Sequence, residues 1–279
     1  MLPDDLAVHL RAARFGGQAA PFDVRWLASA TSTMDVASRL AHEGASHGVV
    51  VGADEQTSGR GRRGTTWVSP PGAGLYFSFI ARPSPRQGGE VPLAAVEAPP
   101  SLGVPEKSPL SLLTLAAGVA VREGIATATG LAADLKWPND LIIGRRKLAG
   151  ILAEGIAIGS RDQAVIIGVG VNVQEASYPP DVAARATSLE GELGRTIDRG
   201  PLLSHILIAL GDRLAMLEQG PGDILQAWRA ASPNAVGTRV QWEGKDGTTA
   251  GIDDRGALLV RTQTGVERII AGELHWHLP

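Results

Sequence analysis

The densest chemistry in this chain is the run Gly59-Arg60-Gly61-Arg62-Arg63-Gly64. Glycine lets backbone amides approach a ligand closely and admits φ > 0 without steric cost. Arginine adds a planar fork of donors matched to carboxylate and phosphate. A loop so built is suited to close on an anion, above all one that carries both groups, such as an acyl phosphate. The same residues satisfy G-x-G-x-x-G, whose dinucleotide-binding form must follow a strand and open a helix. A strand-like Val49–Ala53 precedes the run, but Thr65-Thr66-Trp67-Val68-Ser69-Pro70-Pro71-Gly72 follows it. Two prolines among β-formers do not open a helix, and no ribose-binding acid stands at the usual offset, so nicotinamide binding is set aside. Taken alone, the run is equally readable as a basic surface turn.

Other polar groups have the same double reading. In Lys136-Trp137-Pro138-Asn139-Asp140-Leu141, Pro138 fixes the chain just after a strand and projects Asn139 and Asp140 from its end. Asn offers donor and acceptor to a nucleotide. Asp can hold Mg²⁺ or accept hydrogen bonds from an incoming ammonium, and a plain Pro-Asn-Asp turn is the alternative. Lys147 begins a small, apolar run, where it could stabilise charge growing on a carboxyl or phosphoryl oxygen or sit solvated at a hairpin end. Gly168-Val169-Gly170-Val171-Asn172-Val173 alternates glycine through a buried strand, a mark of close approach by a ligand or another backbone. Asn172 there binds ligand or satisfies a buried neighbour. Trp67 stacks on a purine or packs in the core. Gln56 donates to a carbonyl or ureido ligand, or is an ordinary surface residue.

The elements that must position these groups follow from pattern. Ser32 or Thr33 caps a helix through Val36, Ala37, Leu40 and Ala41 that ends at Gly44. Strands are expected at Val49–Ala53, Leu75–Ile80, Asp134–Trp137, Leu141–Ile143, Lys147–Ile158 and Gln163–Val173. Helices are expected at Leu110–Thr129, Pro201–Glu218 and Gly222–Ala231. An amphipathic stretch around Leu6–Arg11, followed by Gly16-Gly17, opens the chain, and it is too short for a winged helix-turn-helix domain. Residues 82–109, rich in Pro, Gly and Ser, read as a long surface insertion. From residue 233 onward, short β-runs at Arg239–Trp242, Thr248–Ile252, Ala257–Thr262 and Val266–Ile270 alternate with Asp/Gly turns, indicating a small β-barrel module. We therefore expect a catalytic domain over 1–232 and a β-module over 233–279.

Composition narrows the classes. A chain of 279 residues with 44% apolar residues builds a sizeable core. A net charge of −3 gives no nucleic-acid footprint, so the arginine loop is a local device. The absence of cysteine excludes disulfides, a thiolate nucleophile and iron–sulfur clusters. The six histidines show no metal-ligand spacing. No signal-peptide pattern opens the chain and no apolar run approaches a membrane span, so a soluble, cytoplasmic protein is expected.

Taken together, the motifs resemble the biotin–protein ligase family, in its form without an N-terminal DNA-binding domain. The resemblance rests on Thr31-Ser32-Thr33, Gln56-x-x-Gly59-Arg60-Gly61-Arg62-Arg63-Gly64-x-x-Trp67, Lys136-Trp137-Pro138-Asn139-Asp140, Arg146-Lys147-Leu148-Ala149-Gly150-Ile151-Leu152-x-Glu154 and Gly168-x-Gly170-x-Asn172, in the family's order. Gly251-Ile252-Asp253-x-x-Gly256-Ala257-Leu258 and Gly272-Glu273 resemble its SH3-like module. The resemblance implies an α+β fold of the class II aminoacyl-tRNA/biotin synthetase type: a mixed, largely antiparallel sheet with flanking helices, then an SH3-like β-barrel. It implies ATP and biotin as substrates with Mg²⁺, formation of biotinyl-5′-AMP, and transfer of biotin to a lysine of the biotin carboxyl carrier domain of acyl-CoA carboxylases. On the resemblance, Ser32, Thr33, Gln56, Gly59, Arg60, Gly61, Gly150, Gly168 and Gly170 line the biotin site. Arg62 and Lys147 neutralise the carboxylate and α-phosphate. Arg63, Trp67, Lys136, Asn139, Asn172 and His277 serve the nucleotide. Asp140 touches Mg²⁺ or orients the acceptor lysine. A homodimer is compatible with the family; nucleic-acid and membrane partners are not expected.

The chain also departs from the family. Thr65 and Thr66 stand where some relatives are basic, and Met34 replaces a commoner Asn. A lipoate ligase or octanoyltransferase is the nearest enzyme alternative, but the transferase needs a cysteine and the lipoate ligase lacks this arginine loop followed by Trp. A non-catalytic biotin sensor would have lost Lys147 or the loop, and both are present.

Overall fold

The structure is a computed structural model that describes residues 22–82, 109–157, 163–176, 178–272 and 274–278. The expected N-terminal stretch, all but the two ends of the 82–109 insertion, and Glu273 lie outside the described residues.

The larger part is built on a seven-stranded sheet. Its strands are β1 (Asp23–Leu27), β2 (Val49–Ala53), β3 (Gly74–Ala81), β4 (Asp134–Lys136), β5 (Asp140–Ile143), β6 (Arg146–Ile156) and β7 (Ala164–Asn172), in the order β1-β2-β3-β7-β6-β5-β4. Only β1 and β2 run parallel, joined by helix α1 (Thr33–His42); every other pairing is antiparallel. Strand β1 escaped the sequence reading because Asp23 and Arg25 interrupt its apolar pattern at the sheet's edge. The central strands β3 and β7 are buried along their whole length, which requires cover on both faces.

Strand alternation divides that cover. Val50, Phe79 and Ile167 point to one face, where they meet α2 (Pro109–Thr129) and α5 (Arg199–Gln219). Val51, Ile80 and Ile166 point to the other and meet Met34, Ala37 and Ala41 of α1. Ser32 caps α1 by accepting a hydrogen bond from the Met34 N–H at 3.2 Å. Helices α2 and α5 pack backbone to backbone: a Cβ on Gly124 would stand 2.5 Å from the Ile206 Cα. By length and composition both helices could cross a membrane, contrary to the sequence expectation. Their apolar character is accounted for by burial against each other and the sheet.

Short helices α3 (Pro180–Ala183) and α4 (Leu189–Leu193), absent from the sequence reading, follow β7; α6 (Gly222–Ala230) precedes the second sheet. That sheet is antiparallel and five-stranded: β8 (Val236–Trp242), β9 (Lys245–Ile252), β10 (Leu258–Arg261), β11 (Val266–Ile269) and β12 (His275–His277), ordered β11-β10-β9-β8-β12. Strand β12, too short for a pattern to show, pairs back on β8. Ile252, Leu258 and Val260 belong to the same apolar core as Leu115 and Trp137 of the larger part. The Trp137 Nε1–H donates to the Gly256 carbonyl at 3.0 Å across the junction.

Candidate active site

Helix α1 covers only part of its face of the large sheet. The uncovered remainder is the floor of a cleft of about 570 Å³, roofed by the arginine loop and closed at one side by the second sheet. Along β7 the residues on this face are Ile166, Gly168, Gly170 and Asn172. The glycines leave slots that other side chains fill. A Cβ on Gly168 would lie 2.7 Å from the Met34 sulfur, and one on Gly170 would lie 2.5 Å from the Trp67 ring. A Cβ on Gly150, which pairs with Gly170, would likewise meet the Trp67 ring, at 2.9 Å. The close approach that these glycines signal in the sequence is thus made in the structure by Met34 and Trp67.

A hydrogen-bonded, uncharged end of the cleft is built around Gln56. Its Oε1 accepts from the Thr33 N–H at 2.9 Å and the Thr33 hydroxyl at 3.2 Å, and its Nε2 donates to Ser69 at 2.8 Å. Thr33 in turn meets the buried Ser78 hydroxyl at 2.9 Å. These contacts tie the first turn of α1 to the segment leading into the arginine loop, with Ser32 and Met34 beside them in the wall.

The loop crosses above. Residues Arg62–Gly64 form one 3₁₀ turn with Arg63 left-handed at φ 52°. The Gly61 N–H donates to the Thr65 carbonyl at 2.8 Å, and the Trp67 N–H to the Gly59 carbonyl at 2.9 Å. Gly59 must be glycine for that approach, since a Cβ would meet the Trp67 carbonyl at 2.3 Å. Arg60 reaches outward, its two terminal nitrogens on Asp35 at 2.9 Å and Glu154 at 2.6 Å. Arg62 turns toward the Asn139 carbonyl oxygen of the side chain, 3.5 Å away. Burial lowers the Arg62 pKa from its usual value; nearby Asp140 opposes this and Arg63 adds to it.

Asn139 is held at the end of the strand pair, its Nδ2 donating to the Ile151 carbonyl at 2.8 Å and its own carbonyl accepting from the Ile151 N–H at 2.9 Å. The Trp137–Pro138 peptide just before it is cis. A bulge then decides the chemistry. Asp140 pairs with Gly150 and Leu141 with Ala149, but Ile142 pairs with Lys147, leaving Leu148 as the extra residue. A bulge re-aims side chains; this one brings Lys147 to the cleft face shared with Asp140 and Gly150. The Lys147 ammonium is 2.6 Å from the Asp140 carboxylate and 5.2 Å from the Trp67 ring centroid. Asn172 secures the lysine's backbone: its Nδ2 donates to the carbonyls of Lys147 (3.3 Å) and Thr187 (2.9 Å).

Lys136 completes a cationic end, lying 5.9 Å from the Trp276 ring. Burial lowers the Lys136 pKa from its ordinary value; Asp140 opposes the shift, while Lys147 and Arg185 reinforce it. Buried polar atoms of two cleft-lining residues, Trp67 Nε1 and Tyr178 OH, have no partner within the described residues. The cleft thus joins a neutral hydrogen-bonding end to an end carrying Arg62, Arg63, Lys136 and Lys147.

Of the residues to which the resemblance gave a site role, the structure gathers all into this cleft except Gly59 and His277. Gly59 lies just behind the wall. His277, exposed at the end of β12, is not part of the lining; His275 and Trp276 are. Sequence reasoning missed these two, and also Arg185 and Tyr178 after β7. None sits in a motif; their nearness depends on the return of β12 and on Ala186 bridging to Lys147.

Comparison with known proteins agrees with this geometry. Residues 26–172 match the model of the biotin/lipoate A/B protein ligase family, and residues 243–274 match that of the biotin protein ligase C terminal domain. The chain is 37% identical over 251 residues to a bifunctional ligase/repressor BirA of Bacillus spizizenii, covering 88% of this chain and 71% of the relative. It is 36% identical over 257 residues to a biotin–[acetyl-CoA-carboxylase] ligase of Paracoccus denitrificans, covering 89% of this chain and 98% of the relative. Among solved structures, the biotin protein ligase from Aquifex aeolicus in complex with biotin and ATP superposes with a TM-score of 0.73 at 28% identity, covering 92% of this chain and 99% of that one.

Proposed function

Because the chain belongs to the biotin/lipoate A/B protein ligase family, we propose that it activates biotin with ATP to biotinyl-5′-AMP and transfers the biotin to a lysine on the carrier domain of an acyl-CoA carboxylase. It is an ATP-dependent biotin–[acetyl-CoA-carboxylase] ligase. The observation that carries the reading is the two-ended cleft. A ureido ring needs fixed neutral donors and acceptors, as around Thr33 and Gln56. A carboxylate attacking a phosphate needs cations on both sides, as Arg62 and Lys147 provide.

In the first step the biotin carboxylate attacks the α-phosphorus and pyrophosphate leaves. Two anions must approach within bonding distance, so their repulsion dominates the barrier. Fixed cations in a partly dehydrated cleft offset it without reorganising. Lys147 is held ready by Asp140, Trp67 and the Asn172 buttress. The Trp67 indole, seated over Gly150 and Gly170, separates the biotin end from the nucleotide end and offers its ring to the folded adenylate. Arg63, Lys136 and Asn139 serve the phosphates and nucleotide. In the second step the carrier lysine, once it has lost a proton to become the neutral amine, attacks the acyl carbon; AMP leaves and the amide nitrogen's extra proton passes to solvent. Asp140 can accept the incoming ammonium's hydrogen bonds once Lys147 turns to the phosphate.

Mg²⁺ belongs to the proposal. Among the described residues no cluster of three or more metal-binding side chains occurs, and Asp140 is the only acid lining the cleft. That donor set suits an ion carried mainly by substrate phosphates and water, as Mg²⁺ usually is, where it would neutralise phosphate charge. We extend the reading to a cytoplasmic enzyme without nucleic-acid or membrane partners, able to form a homodimer; sedimentation velocity with and without biotinyl-5′-AMP tests the last point.

The test is pyrophosphate release from ATP with purified enzyme. A limited burst with biotin alone, and steady turnover only with carrier domain, is the expected result. Release that requires lipoate or octanoate instead would move the chain to the sister activity, and no release with either would overturn the proposal.

A further inference from the structure

Arg60 does something different from the other arginines of its loop. Arg62 and Arg63 line the cationic end, whereas the Arg60 guanidinium forks over the wall to two carboxylates on separate elements. Asp35 stands in the first turn of α1, beside Met34, whose sulfur fills the Gly168 slot. Glu154 stands on β6, on the cleft side of the sheet with Gly150 and Leu152. The three groups are separated by 25 and 94 positions in the chain. The loop's remaining ties to the rest of the protein are few. Its internal ladder joins Gly61 to Thr65 and Gly59 to Trp67, and one long contact of 3.5 Å reaches Asn139.

We propose that Asp35 and Glu154 are positioning residues: acting through Arg60, they clasp the arginine loop over the neutral end of the cleft and so set how long the adenylate is retained. The proposal rests on the function given above for this cleft. Each ion pair is partly exposed and by itself worth little. Sharing one guanidinium changes that balance, because the side chain ordered for the first pair is already ordered for the second, and the fork geometry suits two acceptors. The clasp touches neither reacting atom. Breaking it therefore leaves the barrier to adenylation alone and raises the rate at which the loop lifts.

The test is the paired variant Asp35→Asn with Glu154→Gln, which keeps shape and removes both charges. Hydrogen exchange of amides 59–66 in the protein without substrates is measured first. It reads loop opening whatever the cleft binds, so it separates failure of the clasp from failure of the ligase reading. Exchange roughly three- to tenfold faster than wild type is expected, given the size of exposed ion-pair terms. Biotinyl-5′-AMP made in situ should leave the variant faster by a similar factor, KM for biotin should rise, and single-turnover adenylation at saturating biotin should stay within about twofold. Raising salt should speed release more steeply from wild type than from the variant, which keeps only the cations around the phosphate; a merely structural loss would not reproduce that difference. Unchanged loop exchange, or a fall in the adenylation rate without a change in release or KM, would overturn the proposal. Arg60→Lys gives a second check: a point charge without the fork should recover part of the retention, and no recovery beyond Arg60→Ala would also count against it.

Discussion

The cleft strands of the large sheet and the turn ahead of β10 both need glycine, for opposite reasons. Within the seven-stranded sheet, Gly150, Gly168 and Gly170 lie in extended strands, and what forbids a side chain is the presence of another one: Trp67 over two of them and Met34 over the third. In the five-stranded sheet, Gly256 ends a turn at φ +81°, where the backbone itself disfavours a side chain. A methyl group added to the first kind displaces the Trp67 ring or the Met34 side chain in the cleft. Added to the second, it strains a turn that is not part of the cleft lining and whose carbonyl accepts from the Trp137 indole. The difference teaches that Gly150, Gly168 and Gly170 make room for side chains in the cleft whereas Gly256 sets a turn, so that substitutions at the two kinds of position should read out in different measurements.

The strongest way to show that chemistry lives on the larger sheet is Lys147→Ala. Losing a preorganised cation at developing charge should slow adenylation roughly a hundred- to a thousandfold, read by rapid-quench release of pyrophosphate. A normal rate would remove Lys147 from the mechanism. Next comes Gly170→Ala. The new methyl group would stand 2.5 Å from the indole, and overpacking of about 1–3 kcal/mol should push the ring aside. KM for ATP should rise about tenfold with the far-ultraviolet spectrum unchanged; a change in melting temperature with unaltered kinetics would erase the distinction between the sheets. Gly256→Ala should do the reverse. Strain at positive φ, with Leu115 Cδ1 only 2.8 Å away, should cost roughly 1–2 kcal/mol and lower Tm by a few degrees, while kinetics at 25 °C stay within about twofold. The smallest effect belongs to His277→Ala, expected to leave KM for ATP unchanged, whereas Trp276→Ala, which removes the ring beside Lys136, should raise it severalfold.

Much of this was legible in the sequence because motif and element coincide. The Ser32 cap, the two buried central strands and the small-residue helix each express one local rule, and they stand where the pattern put them. The site residues were legible by type but not by partner. By strict alternation Lys147 and Gly150 face opposite sides of a strand; only the bulge at Leu148, a property of pairing with β5, brings them together. The alternating glycines announced close approach without saying that Met34 and Trp67 would make it. The resemblance pointed to His277, whereas the cleft is lined by His275 and Trp276; position along a three-residue strand depends on its register with β8, which no local pattern encodes. The Asp35–Arg60–Glu154 cluster was invisible for the same reason: Arg60 and Glu154 each stand in a motif, but nothing local joins them to one another or to Asp35.

The apolar core that runs from Leu115 and Trp137 into Ile252, Leu258 and Val260 has a consequence for how the chain can be taken apart. The expected boundary after residue 232 separates strands but not interiors. A chain ended there would expose the flank of α2 and leave the Trp137 indole without the Gly256 carbonyl, just ahead of Asn139 and Asp140 in the cleft wall. The terminal module is therefore not a cassette to be exchanged between relatives, and the whole should melt as one cooperative unit. Damage to the smaller sheet would withdraw the entire ligase from the active pool and would not leave a catalytic half at work.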